Sequence, residues 1–194
     1  MRLRNTSTNW GAIAKLFHWA IASLIIANIV LGLWADDLPL SPRKLEAFYW
    51  HKSVGLTVLW LGVLRLMWRF TNPTPLLPGA MPRWERTLAQ ASHFLLYVLM
   101  LAMPMSGWII NSAANFPLDL YGVWRVPDLI PGSVDESTVE DAAKAVHYWL
   151  FTSICVLLAL HVSAALKHHV LDRDDVLKRM LPFSRAADPI RGRG

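Results

Sequence analysis

The sequence predicts an all-α membrane protein, a bundle of four transmembrane helices with both termini on the cytoplasmic side. Three observations predict it. Hydrophobic residues make up 54% of the 194, and they are gathered into four runs of about 20 residues, enough for a helix to span roughly 30 Å of hydrocarbon. Lysine and arginine crowd one set of connections and avoid the other. Nine of the ten tryptophans stand at or near the ends of apolar runs, where their amphipathic rings anchor an interface; Trp60 alone sits mid-run, as a packing residue.

The first run, Leu16–Trp34, contains no charge and predicts a helix over about 13–35. It is longer than the roughly 7–15 residues of a signal-peptide core, and Trp34-Ala35-Asp36 is a poor cleavage site, so it reads as a retained helix. Phe48–Trp68 predicts a second helix over about 48–70, Leu88–Ile110 a third over 88–111, and Val146–Leu166 a fourth over 143–168. Pro104 kinks the third, with Ser106 available to cover the freed carbonyl. Residues 1–12 form a polar arm. Asp36–Glu46 contains Pro39 and Pro42, which break any continuous helix. Thr71–Arg86 contains Pro73, Pro75, Pro78 and Pro82 and must be extended or turned. Ser112–Glu140 is the longest connection, acidic and outside the membrane; within it Asp135–Lys144 predicts a helix start, with Asp135, Ser137 and Thr138 as caps. The charged tail from Asp172 ends in an irregular Arg191-Gly192-Arg193-Gly194. With no repeat and no separating linker, residues 1–194 form a single domain.

Charge sets the orientation. The N-terminal arm, the second connection and the tail hold fourteen of the nineteen basic residues; the opposite side holds only Arg43, Lys44, Lys52, Arg125 and Lys144. Basic residues accumulate in the cytoplasm, which puts both termini there. The net charge of +5 is therefore topology and lipid contact rather than nucleic-acid binding. The single Cys155 excludes an intramolecular disulfide, and no C-x-x-C-H sequence offers covalent haem attachment.

Ionisable side chains inside membrane helices are costly and point to function. His147 and His161 are fourteen residues apart on the fourth run. At about 100° and 1.5 Å per residue they share one helix face, roughly 21 Å apart along the axis. His18 lies near the inner end of the first helix and His51 near the outer end of the second. Matched by depth, His51 faces His147 outside and His18 faces His161 inside. Position alone also admits His93, on the third helix, in place of His18. Three clustered ligands for catalytic zinc are missing, and the carboxylates lie in loops, away from a di-metal bundle site. Two imidazoles at one depth suit the axial positions of a six-coordinate b-type haem; with no open iron position, such a haem favours electron transfer over oxygen chemistry. Gly55, Gly62, Gly32 and Gly107 would let a porphyrin approach the backbone or helices pack closely. His168 and His169, with Lys167 or Arg65, are candidates for haem propionates or a quinone head group, arginine having the planar fork that suits carboxylates.

At these residues the chain resembles the bacterial cytochrome b561 family, which is related to the b-type cytochrome subunits of nickel-iron hydrogenases. The resemblance rests on Phe17-His18-Trp19, Trp50-His51-Lys52-Ser53-Val54-Gly55, His93 through Tyr97, Pro104-Met105-Ser106-Gly107, His147-Tyr148-Trp149 and His161 through His169. It covers about Trp10 to Pro182. It implies a bundle in the bacterial inner membrane with two non-covalent haems b, and carries ligation to His18, His51, His147 and His161, favouring His18 over His93. It also implies electron exchange with ubiquinone, and for some members superoxide oxidation on the outer side. The outer segments depart from that pattern: nine acids face five bases there, a field that would not draw an anion inward, although Arg43, Lys44, Lys52 and Arg125 could form a local basic mouth.

The sequence thus predicts electron transfer from an outer one-electron donor, superoxide or a redox protein, through two haems b to ubiquinone. Two other readings stand beside it: a membrane anchor relaying electrons for a soluble dehydrogenase or hydrogenase docked on Ser112–Glu140, and a haem-free transporter with a histidine proton relay.

Overall fold

The structure, a computed structural model, describes residues 2–79, 81–130 and 136–182. The expected cap Asp135, the basic residues Arg185, Arg191 and Arg193, and the Arg191–Gly194 tail lie outside the described residues.

The elements run α1 (Ala12–Asp37), α2 (Pro42–Phe70), α3 (Arg83–Ala113), β1 (Leu118–Leu120), β2 (Trp124–Val126), α4 (Glu136–Val170) and α5 (Val176–Met180). Helices α1 to α4 are long and apolar enough to cross a membrane. Leu16, Ile26, Val30, Leu33, Leu160 and Leu166 are all more than half exposed. Apolar surface on that scale is a liability in water and an ordinary solvent contact in lipid.

Local chemistry sets the helix ends. Ser41 is the N-cap of α2, its hydroxyl accepting from Lys44 N at 3.3 Å, with Pro42 at the first helical position, where its missing N–H costs nothing. The Lys44 ammonium reaches back to the Asp36 and Leu38 carbonyls at 2.9 and 2.8 Å, satisfying the frayed end of α1 with a cation. The expected helix start at Asp135–Lys144 is the beginning of α4 itself, steadied by a Lys144–Glu140 pair one turn apart at 2.6 Å. Helix α3 continues through Pro104. Ser106 does not cover the carbonyl freed by that proline: its hydroxyl donates to Met103 O at 2.8 Å.

The chain forms two compact units. The first comprises Met1–Ala20, Leu64–Leu96 and Cys155–Gly194. In it the N-terminal arm folds back so that Ala12 N and Ile13 N donate to the Arg2 and Leu3 carbonyls, pairing amides that a helix start leaves open. Buried Asn5 ties the arm to the proline-rich connection, accepting from Gly11 N at 2.9 Å and donating to Pro73 O at 3.0 Å. Any Cβ at Gly11 would collide with the Leu3 and Arg4 carbonyls. The α5 segment is held by Lys15 to Leu181 O (2.9 Å), by the Trp19 indole to Met180 O (2.8 Å) and by Arg179 to Leu76 O (2.9 Å).

The second unit comprises Ile21–Val63 and Tyr97–Ile154. Its core joins Leu56, Leu59 and Leu118, with Leu101, Met105, Trp108, Leu120 and Val126 packed against them. The connection after α3, in which the sequence predicts only a helix start, contains an antiparallel hairpin with Leu118 opposite Val126 and Leu120 opposite Trp124. Tyr121 (φ 52°) and Gly122 (φ 69°) supply the two left-handed residues of a type I′ turn, closed by Val123 N to Leu120 O at 3.0 Å. Strands of three residues are too short to leave an alternation in the sequence. The fold is thus mostly helical, with this small sheet added.

Candidate functional site

In the second unit, α2 and α4 bring His51 and His147 together, ring centres 6.4 Å apart. Each ring is fixed through Nδ1. His51 Nδ1–H donates to the α1 carbonyl of Asn28 at 3.1 Å, and His147 Nδ1–H donates to Ser106 Oγ at 2.9 Å while that hydroxyl donates onward to Met103 O. This leaves Nε2 of both rings for a metal, the arrangement in which a hydrogen-bonded imidazole is oriented for ligation.

Glycines make room for both rings. A Cβ at Gly32 would lie 2.7 Å from His51 Cε1 and 2.9 Å from its Nδ1; one at Gly107 would lie 3.3 Å from His147 Cε1. Gly32 is one turn beyond Asn28, so the missing side chain also uncovers the carbonyl that His51 uses. Gly107 stands in the same relation to Met103. These two glycines leave room for imidazoles, a role distinct from the porphyrin approach or close helix packing expected of them. Gly62 packs against Met100 and Leu101, and a Cβ at Gly55 would meet only Asn28 Nδ2, at 3.5 Å.

In the first unit, α1 and α4 bring His18 and His161 together at 6.2 Å. The Arg65 guanidinium donates to His18 Nδ1 at 3.2 Å. His93 stands nearly perpendicular to His161 with ring centres 5.3 Å apart, and its Nδ1–H donates to Ala89 O in its own helix.

These separations test the fit of a haem iron. A metal–imidazole bond of about 2.0–2.1 Å on each side, plus the distance from each nitrogen to its ring centre, puts two axial imidazoles roughly 6.4 Å apart. The His51–His147 and His18–His161 separations are compatible with that spacing, and the His93–His161 separation is shorter. Hydrogen bonds fix the tautomer that frees Nε2 at the His51–His147 pair; at the other pair, His18 Nδ1 is the acceptor of the Arg65 bond.

The other predicted residues go elsewhere. Lys167 bridges Glu85 (2.9 Å) and Asp172 (2.8 Å), and His168 Nδ1 lies 3.1 and 2.8 Å from Asp172 and Asp174. Both are engaged with carboxylates of the protein itself, and His169 is exposed. Glu85, His168 and Asp172 could converge on a cation, but the Lys167 ammonium already supplies one. Of the expected basic mouth, Arg43 lies over the Trp34 ring at 5.4 Å, while Lys52 donates to Asn111 Oδ1 at 2.6 Å and lies 5.3 Å from the Phe116 ring centre. Sequence reasoning overlooked Asn28 and Asn111; the signal for Asn28 was a lone amide in an otherwise uncharged apolar run.

Fold and site together define a helical membrane protein with paired, oriented imidazoles suited to b-type haem. Comparison with known proteins agrees: the chain belongs to the prokaryotic cytochrome b561 family, which it matches over residues 9–183. It is 35% identical to cytochrome b561 homolog 2 of Escherichia coli (strain K12) over 189 residues, 93% of this chain and 95% of that protein. It is 28% identical to the probable superoxide oxidase CybB of Yersinia pestis over 176 residues, 87% and 93% of the two chains, and 27% identical to cytochrome b561 homolog 1 of Escherichia coli (strain K12) over 168 residues, 85% and 92%. The protein is thus a bacterial membrane electron-transfer cytochrome of a b-type haem family, which sets aside the haem-free transporter.

Proposed function

We propose that the chain, one membrane domain over residues 1–194, crosses the bacterial inner membrane four times with both termini in the cytoplasm and carries electrons from an outer donor to ubiquinone. The observation that carries this reading is the pair of ring separations, 6.4 and 6.2 Å, at two sites that share α4. His51 and His147 would hold an outer haem b, and His18 and His161 an inner one. Such a haem would supply a one-electron iron couple at each site.

The chain's own residues orient and tune. Asn28 O and Ser106 Oγ hold the outer imidazoles in the Nδ1–H tautomer. Arg65, beside His18, is the guanidinium for an inner propionate, a carboxylate its fork matches. Lys52, next in sequence to His51, supplies positive charge at the outer site. That charge favours superoxide as donor, a reading supported by the similarity to a probable superoxide oxidase. The balance is simple: two superoxide anions each lose one electron to become dioxygen, and ubiquinone takes up two electrons and two protons.

Rapid mixing of the purified, haem-loaded protein with superoxide tests the reading. An α-band near about 560 nm should grow, and added ubiquinone should discharge it. No growth with superoxide, but growth with a co-purifying soluble redox protein, would move the assignment to a membrane anchor.

Ser106→Ala supplies a finer test. Removing the acceptor from His147 Nδ1–H makes the ligand less basic and favours ferric iron less. The potential of the outer haem should rise in a spectroelectrochemical titration, with the inner haem unmoved.

A further inference from the structure

We propose that the segment from Phe116 to Leu129, hairpin included, lies in the lipid–water interface of the membrane and not as a free aqueous loop. Its inner side is built onto membrane helices. Leu118 is buried with Leu56 and Leu59 of α2, and Met105 and Trp108 of α3 pack against the same cluster. Leu56 is six residues inside the interfacial Trp50, about 9 Å along the helix, so the hairpin reaches the depth of lipid-spanning residues.

Its backbone is satisfied as a chain near lipid must be, since irregular backbone at membrane depth persists only where protein covers its polar groups. Ser53, fully buried, covers one edge of β1, accepting from Tyr121 N at 3.3 Å and donating to Asp119 O at 3.4 Å. The Trp108 indole donates to Pro127 O at 3.0 Å, and Leu129 N donates to Ser112 Oγ at 3.0 Å. Asn111 donates to Phe116 O and its carbonyl accepts from Phe116 N.

The outward side presents apolar and aromatic residues, with Arg125 and Asp128 exposed beside them, as in a segment at the boundary of lipid and water. Val123 is 90% exposed and Trp124 63% exposed, and the Tyr121 ring lies 5.9 Å from that of Trp50, extending the tryptophan belt of α2. The charges of the two strands, Asp119 and Arg125, stand opposite one another in the ladder, where opposite signs offset. This surface continues the lipid-facing surface of the helices, which is why lipid, and not a soluble partner or a second copy, is the occupant.

Site-directed spin labelling of the full-length, haem-loaded protein in phospholipid vesicles tests the proposal. Single cysteines in a Cys155→Ala background are introduced as Val123→Cys and Trp124→Cys. Val30→Cys, in the uncharged Leu16–Trp34 run of α1, is the lipid reference, and Asp141→Cys, with its side chain 82% exposed, the water reference. The ratio of collisions with oxygen to collisions with a water-soluble nickel chelate should be severalfold higher at 123 and 124 than at 141, approaching that at 30. A ratio matching position 141 overturns the proposal in favour of an aqueous loop. Suppression of both collision rates at 123 and 124 overturns it in favour of a protein partner or a second copy. Two hairpin positions keep the test open if one variant loses its haem spectrum.

Discussion

On the proposed ligation, His51→Ala and His147→Ala should each remove one haem, and the same one; His18→Ala and His161→Ala should each remove the other. Each variant should retain about half of the wild-type α-band, since six-coordination by two imidazoles cannot survive loss of either. Haem per protein and the reduced-minus-oxidised spectrum are the measurements. The two pairs stand at 6.4 and 6.2 Å, close to the roughly 6.4 Å that two metal–imidazole bonds would set. His93→Ala should leave both haems bound, because its ring centre stands 5.3 Å from that of His161, shorter than the roughly 6.4 Å that two metal–imidazole bonds would set. A His93→Ala protein lacking the inner haem beside a His18→Ala protein that keeps it would reverse the assignment.

Much of this site was legible in the sequence because helix geometry is regular. Fourteen positions on α4 fix where His147 and His161 stand relative to each other, and charge asymmetry supplies a depth scale for His18 and His51. The rings of the pairs chosen by depth lie 6.4 and 6.2 Å apart, and His93 lies nearer still to His161, at 5.3 Å. Depth alone could not separate His18 from His93, since both meet His161; the resemblance favoured His18, and the 6.2 Å separation is the one compatible with two metal–imidazole bonds. The cluster of Lys167 and His168 with Glu85, Asp172 and Asp174 was equally hidden. Glu85 is more than eighty positions away, and a cation with near and distant acid partners looks the same in sequence as one awaiting a ligand. The hairpin was out of reach for a different reason. Its strands are three residues long, and what stabilises them is distant: Leu56, Leu59 and the Ser53 hydroxyl of α2.

Gly32→Ala should damage the outer haem nearly as severely as loss of a ligand, although Gly32 bears no atom that could bind iron. The new methyl group would stand 2.7 Å from His51 Cε1 and 2.9 Å from Nδ1, closer than packed carbon atoms approach. Overpacking of this kind commonly costs about 1–3 kcal/mol. Relief requires the imidazole to swing away, which breaks its hydrogen bond to Asn28 O and withdraws Nε2 from the axial position. The outer haem should be lost, or become five-coordinate and high-spin on His147 alone, as read by its absorption and ferric spin resonance. Gly107→Ala should do less, since its methyl would stand 3.3 Å from His147 Cε1, a gap the ring can restore by a few tenths of an ångström. Gly55→Ala separates imidazole seating from porphyrin contact. In the protein itself a Cβ there meets only the Asn28 amide at 3.5 Å, so loss of haem in that variant would mean that the porphyrin occupies the space. If Gly32→Ala keeps a six-coordinate outer haem at full occupancy, the ring of His51 is not held where the ligand must be, and its assignment as an axial partner of His147 fails with it.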